Sequence, residues 1–482
     1  MVGAQKGNRC DTCRKRKIKC DESWPICGQC KRGNRLCPPR PALKVVDDGA
    51  KVRSTIRNKT TLAAGHMEKG DPVAPCGTVA GINRHMNAHI DSPTPLTPSE
   101  RLTFDFINSL QAENQSYSLN VLGEFMWEIP RHLGRSEALD IATACMLASH
   151  KQHLLDDNQG WQIHPQLYSR ALRSIRRALV DPSSWSSSDT LCATILMHRL
   201  EAIFGIFPSA NSNVHAAGLA ALQERRGPPK PGDKLEIQTT VDSHISIIQH
   251  SLYERKDCFL ASPEWAAVLD EPNGRSDTQM IYYRLIRLMT LWPRLALENG
   301  RLMQGDGTID PDITLEGGIH ILKELSRIGN DVKELIKSGK LISIKPSARE
   351  GDIVPVMFQI KSKLVALLVC HYAMYSIIVH QIVLSQLQAI GDERQDQKVL
   401  KMELMRQCRH IWMLLDYSRA HKPLGLPIMP PALMFTLDFA EGPDAQEAIV
   451  EAMNELDSVR YQRGYWSAEQ ARQDVKVFLG LF

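Results

Sequence analysis

The sequence predicts three parts: a small metal-organised module over residues 5–42, a flexible linker over 43–98, and a large all-α domain over 99–482. Three observations lead there. Six of the twelve cysteines fall between Cys10 and Cys37. The stretch that follows is rich in Pro, Gly, Thr and Asn and has no sustained apolar period. From Ser99 onward, apolar residues recur at helical spacing. The 482 residues suit several domains, and 43% apolar with 23% charged residues is ordinary for a globular chain able to bury a large core.

The cysteine segment reads CDTCRKRKIKCDESWPICGQCKRGNRLC. Its spacing is Cys10-x2-Cys13-x6-Cys20-x6-Cys27-x2-Cys30-x6-Cys37. Shifting the first three cysteines by 17 positions places them on the last three, so the module is an internal repeat. Tetrahedral Zn²⁺ takes four ligands, and each repeat offers three. Six thiolates complete two tetrahedra only if two of them touch both metals. The repeat symmetry makes Cys10 and Cys27 the natural bridges. The alternatives are a disulfide framework and a zinc module that binds protein or stores metal. The start MVGAQKGNRC has no apolar leader, which argues against secretion and so against disulfides. So short a segment cannot bury enough core to fold alone. Structural zinc supplies on the order of 10–16 kcal/mol, so folding of this module is expected to require metal.

Positive charge is concentrated in the same place. Residues 1–44 carry 12 Lys/Arg against 3 Asp/Glu, while the rest of the chain carries 46 against 51. A basic head on a mildly acidic body points to a polyanionic partner for the head. The first repeat holds Arg14, Lys15, Arg16, Lys17 and Lys19, whereas the second has Gly33 and Asn34 in place of Arg16 and Lys17. The first excursion is therefore the better groove reader, and the second is mainly scaffold and backbone contact. Arg and Lys donate to the O6 and N7 acceptors of guanine in the major groove, and the remaining cations neutralise phosphates.

At these residues the sequence resembles the binuclear zinc cluster of the fungal Zn(2)-Cys(6) transcription factors. All six cysteines, the basic block and Pro25, two residues before Cys27, carry the resemblance over roughly residues 9–40. It implies two zinc ions held by Cys10, Cys13, Cys20, Cys27, Cys30 and Cys37, with the first and fourth cysteines bridging. It also implies that Lys17 reads a CGG-type triplet, with Arg16 at a second contact position. Arg14, Lys15 and Lys19 are then left to hold phosphates. On this reading the small Zn2Cys6 domain is followed by a linker and a large all-α regulatory domain.

The linker opens with PPRP and closes with DSPTPLTPSE. Val52, Ile56 and Ala63 have loosely helical spacing but do not sustain the heptads of a coiled coil. Monomeric binding and dimerisation through the body both stay open. One zinc module reads few base pairs, so strict specificity calls for a second contact surface.

The body shows apolar stripes such as Tyr168, Ala171, Leu172, Ile175 and Leu179, with Arg170, Arg173, Arg176 and Arg177 among them. Leu325, Ile328 and Val332 form another. A division into two lobes is expected near the loop RRGPPKPGDK. Leu364 to Leu384 is uncharged and as long as a membrane span. Its Tyr, His and Gln residues, and the polar continuation SQLQAI, favour a buried central helix. The segment HAAGLAALQERRGP, from His215, resembles a stretch of the regulatory regions of these factors and reads as a close-packed helix stopped by Gly227-Pro228. His215 is read as structural. The scattered Cys76, Cys145, Cys192, Cys258, Cys370 and Cys408 lack metal-ligand spacing and read as reduced thiols, five of them in the helical body. From Asp438 to Asp457 lie seven acidic residues and no basic ones; the stripe Ile449, Met453, Leu456 reads as a helix packed on the body. No G-x-S-x-G, Walker A, H-E-x-x-H or strand-following G-x-G-x-x-G occurs, so no enzyme is expected.

The expectation is a nuclear, sequence-specific regulator of RNA polymerase II genes that binds double-stranded DNA through two zinc ions. A homodimer partner or co-regulator would act through the helical domain, with no membrane involved. The alternative is a zinc-dependent protein-interaction or RNA-binding scaffold.

Overall fold

A computed structural model of the chain describes residues 11–19, 27–33, 35, 96–111, 118–155, 163–204, 210–270, 275–349, 351–391, 397–422, 424–457 and 466–481. The linker up to residue 95, with its candidate helical stretch and Cys76, lies outside the described residues, and its last residue, Pro98, begins a helix. The chain divides into two compact units, Met1–Asp47 and Asp48–Phe482.

In the head, the described elements are two short helices, α1 (Asp11–Lys15) and α2 (Gly28–Arg32).

The body is helix after helix, as the 3.6-residue period predicts. It begins with α3 (Pro98–Leu110), α4 (Glu137–Leu155), α5 (Pro165–Val180), α6 (Ser188–Phe204), α7 (Ala210–Arg226) and α8 (Lys234–Tyr253). Next come α9 (Pro263–Asp270), α10 (Asp277–Met289), α11 (Trp292–Met303) and α12 (Pro311–Ser338). Among the described residues one hairpin interrupts the helices: β1 (Ile342–Pro346) runs antiparallel to β2 (Val356–Ile360), pairing Ile342 with Ile360 and Pro346 with Val356. Then follow α13 (Lys363–Ile390), α14 (Gln397–Met413), α15 (Leu415–Ala420), α16 (Met429–Met434), α17 (Pro443–Leu456) and α18 (Ala468–Leu479).

Local chemistry sets the helix ends. The Pro-rich segment before the body contains the start of α3. Thr97 caps it, Pro98 occupies the first turn where no N–H is needed, and Glu100 completes a reciprocal capping box. Ser276 and Gln279 repeat that box on α10. Gly339 and Gly391, both in the left-handed region, close α12 and α13.

Two apolar cores fill the body. The first gathers Phe106, Phe125 and the inner faces of α4 to α7, with Leu235 and the distant Leu424. The second surrounds α13. Both draw on α7 and α8, so the anticipated split near RRGPPKPGDK takes the form of two cores within one compact unit. α13 is the one helix, among the described residues, that is long and apolar enough to cross a membrane, and 83% of its apolar window is buried inside the body. Its uncharged run is a core helix. Two glycines on α12 allow the close approach of α13: a Cβ on Gly329 would lie 2.2 Å from the Tyr372 hydroxyl, and one on Gly318 would lie 2.7 Å from Val383. The acidic helix α17 buries Ile449, Ala452 and Met453.

Candidate zinc centre and nucleic-acid interface

The head builds its site by using one local structure twice. In the first repeat, the Arg16 N–H donates to Thr12 O at 3.2 Å and the Ile18 N–H to Cys13 O at 3.1 Å. Seventeen residues on, Gly33 N–H donates to Gln29 O at 3.2 Å and Arg35 N–H to Cys30 O at 3.0 Å. The six-to-one bond onto a cysteine carbonyl is the Schellman closure of a helix. The sequence repeat is thus a repeat of hydrogen bonds. Each short helix carries the second cysteine of its repeat, and each reverses after one turn.

The closure needs one left-handed residue. In the first repeat that residue is Lys17, at φ +54°. Counted along the sequence, the equivalent position of the second repeat is Asn34, which lies outside the described residues. Ile18 then packs onto Cys13, Cys27 and Cys30, the apolar contact that accompanies such a closure.

The three described cysteines of the motif converge. Cys13 Sγ lies 3.6 Å from Cys27 Sγ and 4.0 Å from Cys30 Sγ, and the three donor atoms lie within 4.8 Å of one another. All three side chains are buried. A disulfide needs its sulfurs about 2.0 Å apart, so these are thiols. Two sulfurs on one tetrahedral zinc, with Zn–S about 2.3 Å, sit about 3.8 Å apart. The Cys13–Cys27 spacing of 3.6 Å is close to that value, and an all-thiolate set suits zinc. The Cys30 N–H donates to Cys27 Sγ at 3.4 Å, a bond that favours the thiolate a metal requires. Cys10, Cys20, Cys37 and the Arg14 side chain lie outside the described residues.

The basic residues of the first repeat lie on the surface. Lys15 ends α1, and Lys15, Arg16, Lys17 and Lys19 are all exposed. Lys17 stands beyond the end of α1, at the turn that redirects the chain.

The scattered cysteines form no second centre among the described residues. Cys145, Cys192, Cys258, Cys370 and Cys408 are buried and reduced. Burial pushes the Cys145 and Cys408 thiols up to about 12 and Cys258 to about 11, so they are inert. His215 contacts buried Glu201 at 2.9 Å, and Glu201 also accepts from the Tyr168 hydroxyl. His215 is therefore a tie between α5, α6 and α7, in line with its structural reading. Sequence reasoning missed the ion pair beside it. Arg226 and Glu236 are paired with both side chains buried, and Arg226 also donates to Ser187 O at 3.0 Å. The only signal was the pair of charges flanking the loop RRGPPKPGDK.

Residues 9–43 match the model of the fungal Zn(2)-Cys(6) binuclear cluster domain. Among curated proteins, the chain is 38% identical over 78 residues to the C6 finger domain transcription factor hasF of Aspergillus fumigatus, covering 14% of this chain and 10% of that protein. It is 28% identical over 145 residues to the uncharacterized protein AN5342 of Emericella nidulans, covering 30% and 31%. It is 24% identical over 124 residues to the lysine biosynthesis regulatory protein LYS14 of Saccharomyces cerevisiae, covering 24% and 16%. The matches thus span less than a third of each of these relatives. No solved structure matches the chain significantly. Residues 9–43 thus match a fungal Zn(2)-Cys(6) binuclear cluster domain, within which three motif thiols gather as one donor set.

Proposed function

We propose that the protein is a sequence-specific, DNA-binding regulator of RNA polymerase II transcription that works in the nucleus. Two zinc ions held by Cys10, Cys13, Cys20, Cys27, Cys30 and Cys37 fold the head, with Cys10 and Cys27 touching both. The observation that carries this reading is the convergence of Cys13, Cys27 and Cys30 in the same short module that exposes Lys15, Arg16, Lys17 and Lys19. Metal supplies the fold, and the fold holds the cations in a fixed array.

Lys17 and Arg16 donate to guanine acceptors of a CGG-type triplet, while Arg14, Lys15 and Lys19 contact phosphates. The position of Lys17 supports its role, because a side chain at the turn leads the module into a groove. The all-helical body regulates through a second copy of the chain or a co-regulator. The printed names of hasF and LYS14 as a transcription factor and a regulatory protein favour the same class.

The test is selection from a random duplex pool with the zinc-loaded full chain. Enrichment of a CGG-like triplet supports the reading, and a fixed pair of triplets reports a dimer. No enrichment, with zinc bound and RNA competing equally, moves the protein to the scaffold alternative. Mass spectrometry under native conditions checks the metal: two zincs per chain are expected, and Cys10→Ser is expected to lose both. Retention of two zincs in that variant removes the bridging assignment.

A further inference from the structure

The face of α5 that looks into solvent carries four arginines, and the head's proposed function makes no use of them. Tyr168, Ala171, Leu172 and Ile175 point into the first core. Arg170, Arg173, Arg176 and Arg177 are all exposed on the other side. The helix PQLYSRALRSIRRALV contains no acidic residue, although the body as a whole carries more Asp/Glu than Lys/Arg.

Some exposed arginines of the body sit against carboxylates, such as Arg287 on Asp270 at 2.6 Å, Arg294 on Glu298 at 2.8 Å and Arg472 on Asp438 at 2.7 Å, whereas Arg101, Arg135, Arg301 and Arg409 stand singly; α5 differs in gathering its arginines on one face. On α5 only Arg177 has such a partner, Glu137 at 3.0 Å, and both groups are well exposed. A pair of that kind is worth less than about 1 kcal/mol and exchanges readily for a phosphate. Arg170, Arg173 and Arg176 have no partner among the described residues. Like charges at helical spacing destabilise an isolated helix, so this stripe costs stability unless something neutralises it.

We infer that the exposed face of α5 is a second polyanion surface, and that its occupant is the phosphate backbone of duplex DNA beside the site held by the zinc head. This inference rests on the DNA-binding reading above. From Arg170 to Arg177 the stripe runs about 10 Å at 1.5 Å per residue. A duplex presents about six phosphate charges over that length, counting both strands. Arginine forks pair with phosphate oxygens in bidentate fashion. Between the arginines the face shows no large apolar side chain, and its one exposed apolar residue, Val180 at 75%, stands at the helix end. The covalent link to the head raises the local concentration of any duplex the head holds.

The test compares the zinc-loaded full chain with the variant R170Q/R173Q/R176Q on two duplexes, one trimmed to the selected site and one with long flanks, over a salt series. The substituted side chains are exposed, so the variant is expected to keep the parent circular dichroism spectrum and melting temperature. On the flanked duplex it is expected to bind more weakly and to show a salt slope shallower by up to about 2.7, which is about 0.9 for each phosphate no longer neutralised. On the trimmed duplex the two proteins are expected to match. Equal slopes and affinities on the flanked duplex overturn the inference. If the parent chain binds neither duplex, the DNA reading itself falls, and this surface falls with it. Arginine-dependent binding of a polyglutamate peptide with no change on DNA assigns the face to an acidic protein instead, and also overturns it.

Discussion

At the scale of the residue, Lys17 is the most informative position in the head. Its backbone closes the first helix in a conformation that L-residues adopt at a cost of about 1–2 kcal/mol. In the proposed reading its side chain serves the DNA. The two roles separate by substitution. Lys17→Gly relieves the backbone and is expected to leave zinc-dependent folding intact or slightly stronger, while preference for guanine in the triplet falls by about 1–3 kcal/mol. Lys19→Ala is expected instead to weaken all duplexes alike and reduce the salt slope by about 0.9. Duplex selection together with a zinc titration followed by circular dichroism reads both. The convergence of Cys13, Cys27 and Cys30 was legible in the sequence, because cysteine spacing is itself the constraint a metal imposes. The left-handed turn at Lys17 was not, because lysine rarely occupies it; its trace was the Asn34 that stands at the same point of the second repeat.

At the scale of the element, helix positions followed from apolar period and capping chemistry. The stripe on α5 and the buried run of α13 fell where the sequence put them. The hairpin β1–β2 was invisible, since its strands are five residues each and too short for a periodic signal. The α7–α8 connection is stronger than a Gly-Pro stop implies. Gly227, at φ +79°, turns the chain, and Arg226 returns to Glu236 across the loop. Both side chains are removed from water, so Arg226→Ala leaves a buried carboxylate unpaired and is expected to cost about 3–5 kcal/mol. Urea unfolding followed at 222 nm measures it. Replacing Arg226 and Glu236 together by apolar residues of similar size is expected to restore much of that loss.

At the scale of the whole molecule, the body hides histidines that must stay neutral. Burial pulls His244 and His371 down to about 4 and His198 to about 3. Their ring N–H groups donate to partners of their own helix or the next: His244 to Thr240 O at 2.8 Å, His371 to Leu367 O at 3.1 Å. In the unfolded chain each titrates near 6.5. The unfolded state therefore binds more protons between about pH 6.5 and 4, and stability falls as pH drops through that window. Asp242, pushed up to about 6 by burial, acts in the opposite sense and offsets part of it. A melting temperature that declines from pH 7 to pH 5 is the expected outcome; a flat profile would show that these histidines are solvated. The layout of the two cores carries a consequence for how the chain is made. Every residue of the first core except Leu424 lies at or before position 235. At about 5–20 residues per second, a ribosome reaches Leu424 roughly 10–40 s after it passes Leu235. During that interval the first core must stand with one wall missing, while the uncharged length of α13 emerges with nothing yet made of α14 or α16 to cover it. This nascent chain is a natural client for a chaperone, and its window of exposure is fixed by the order of the sequence.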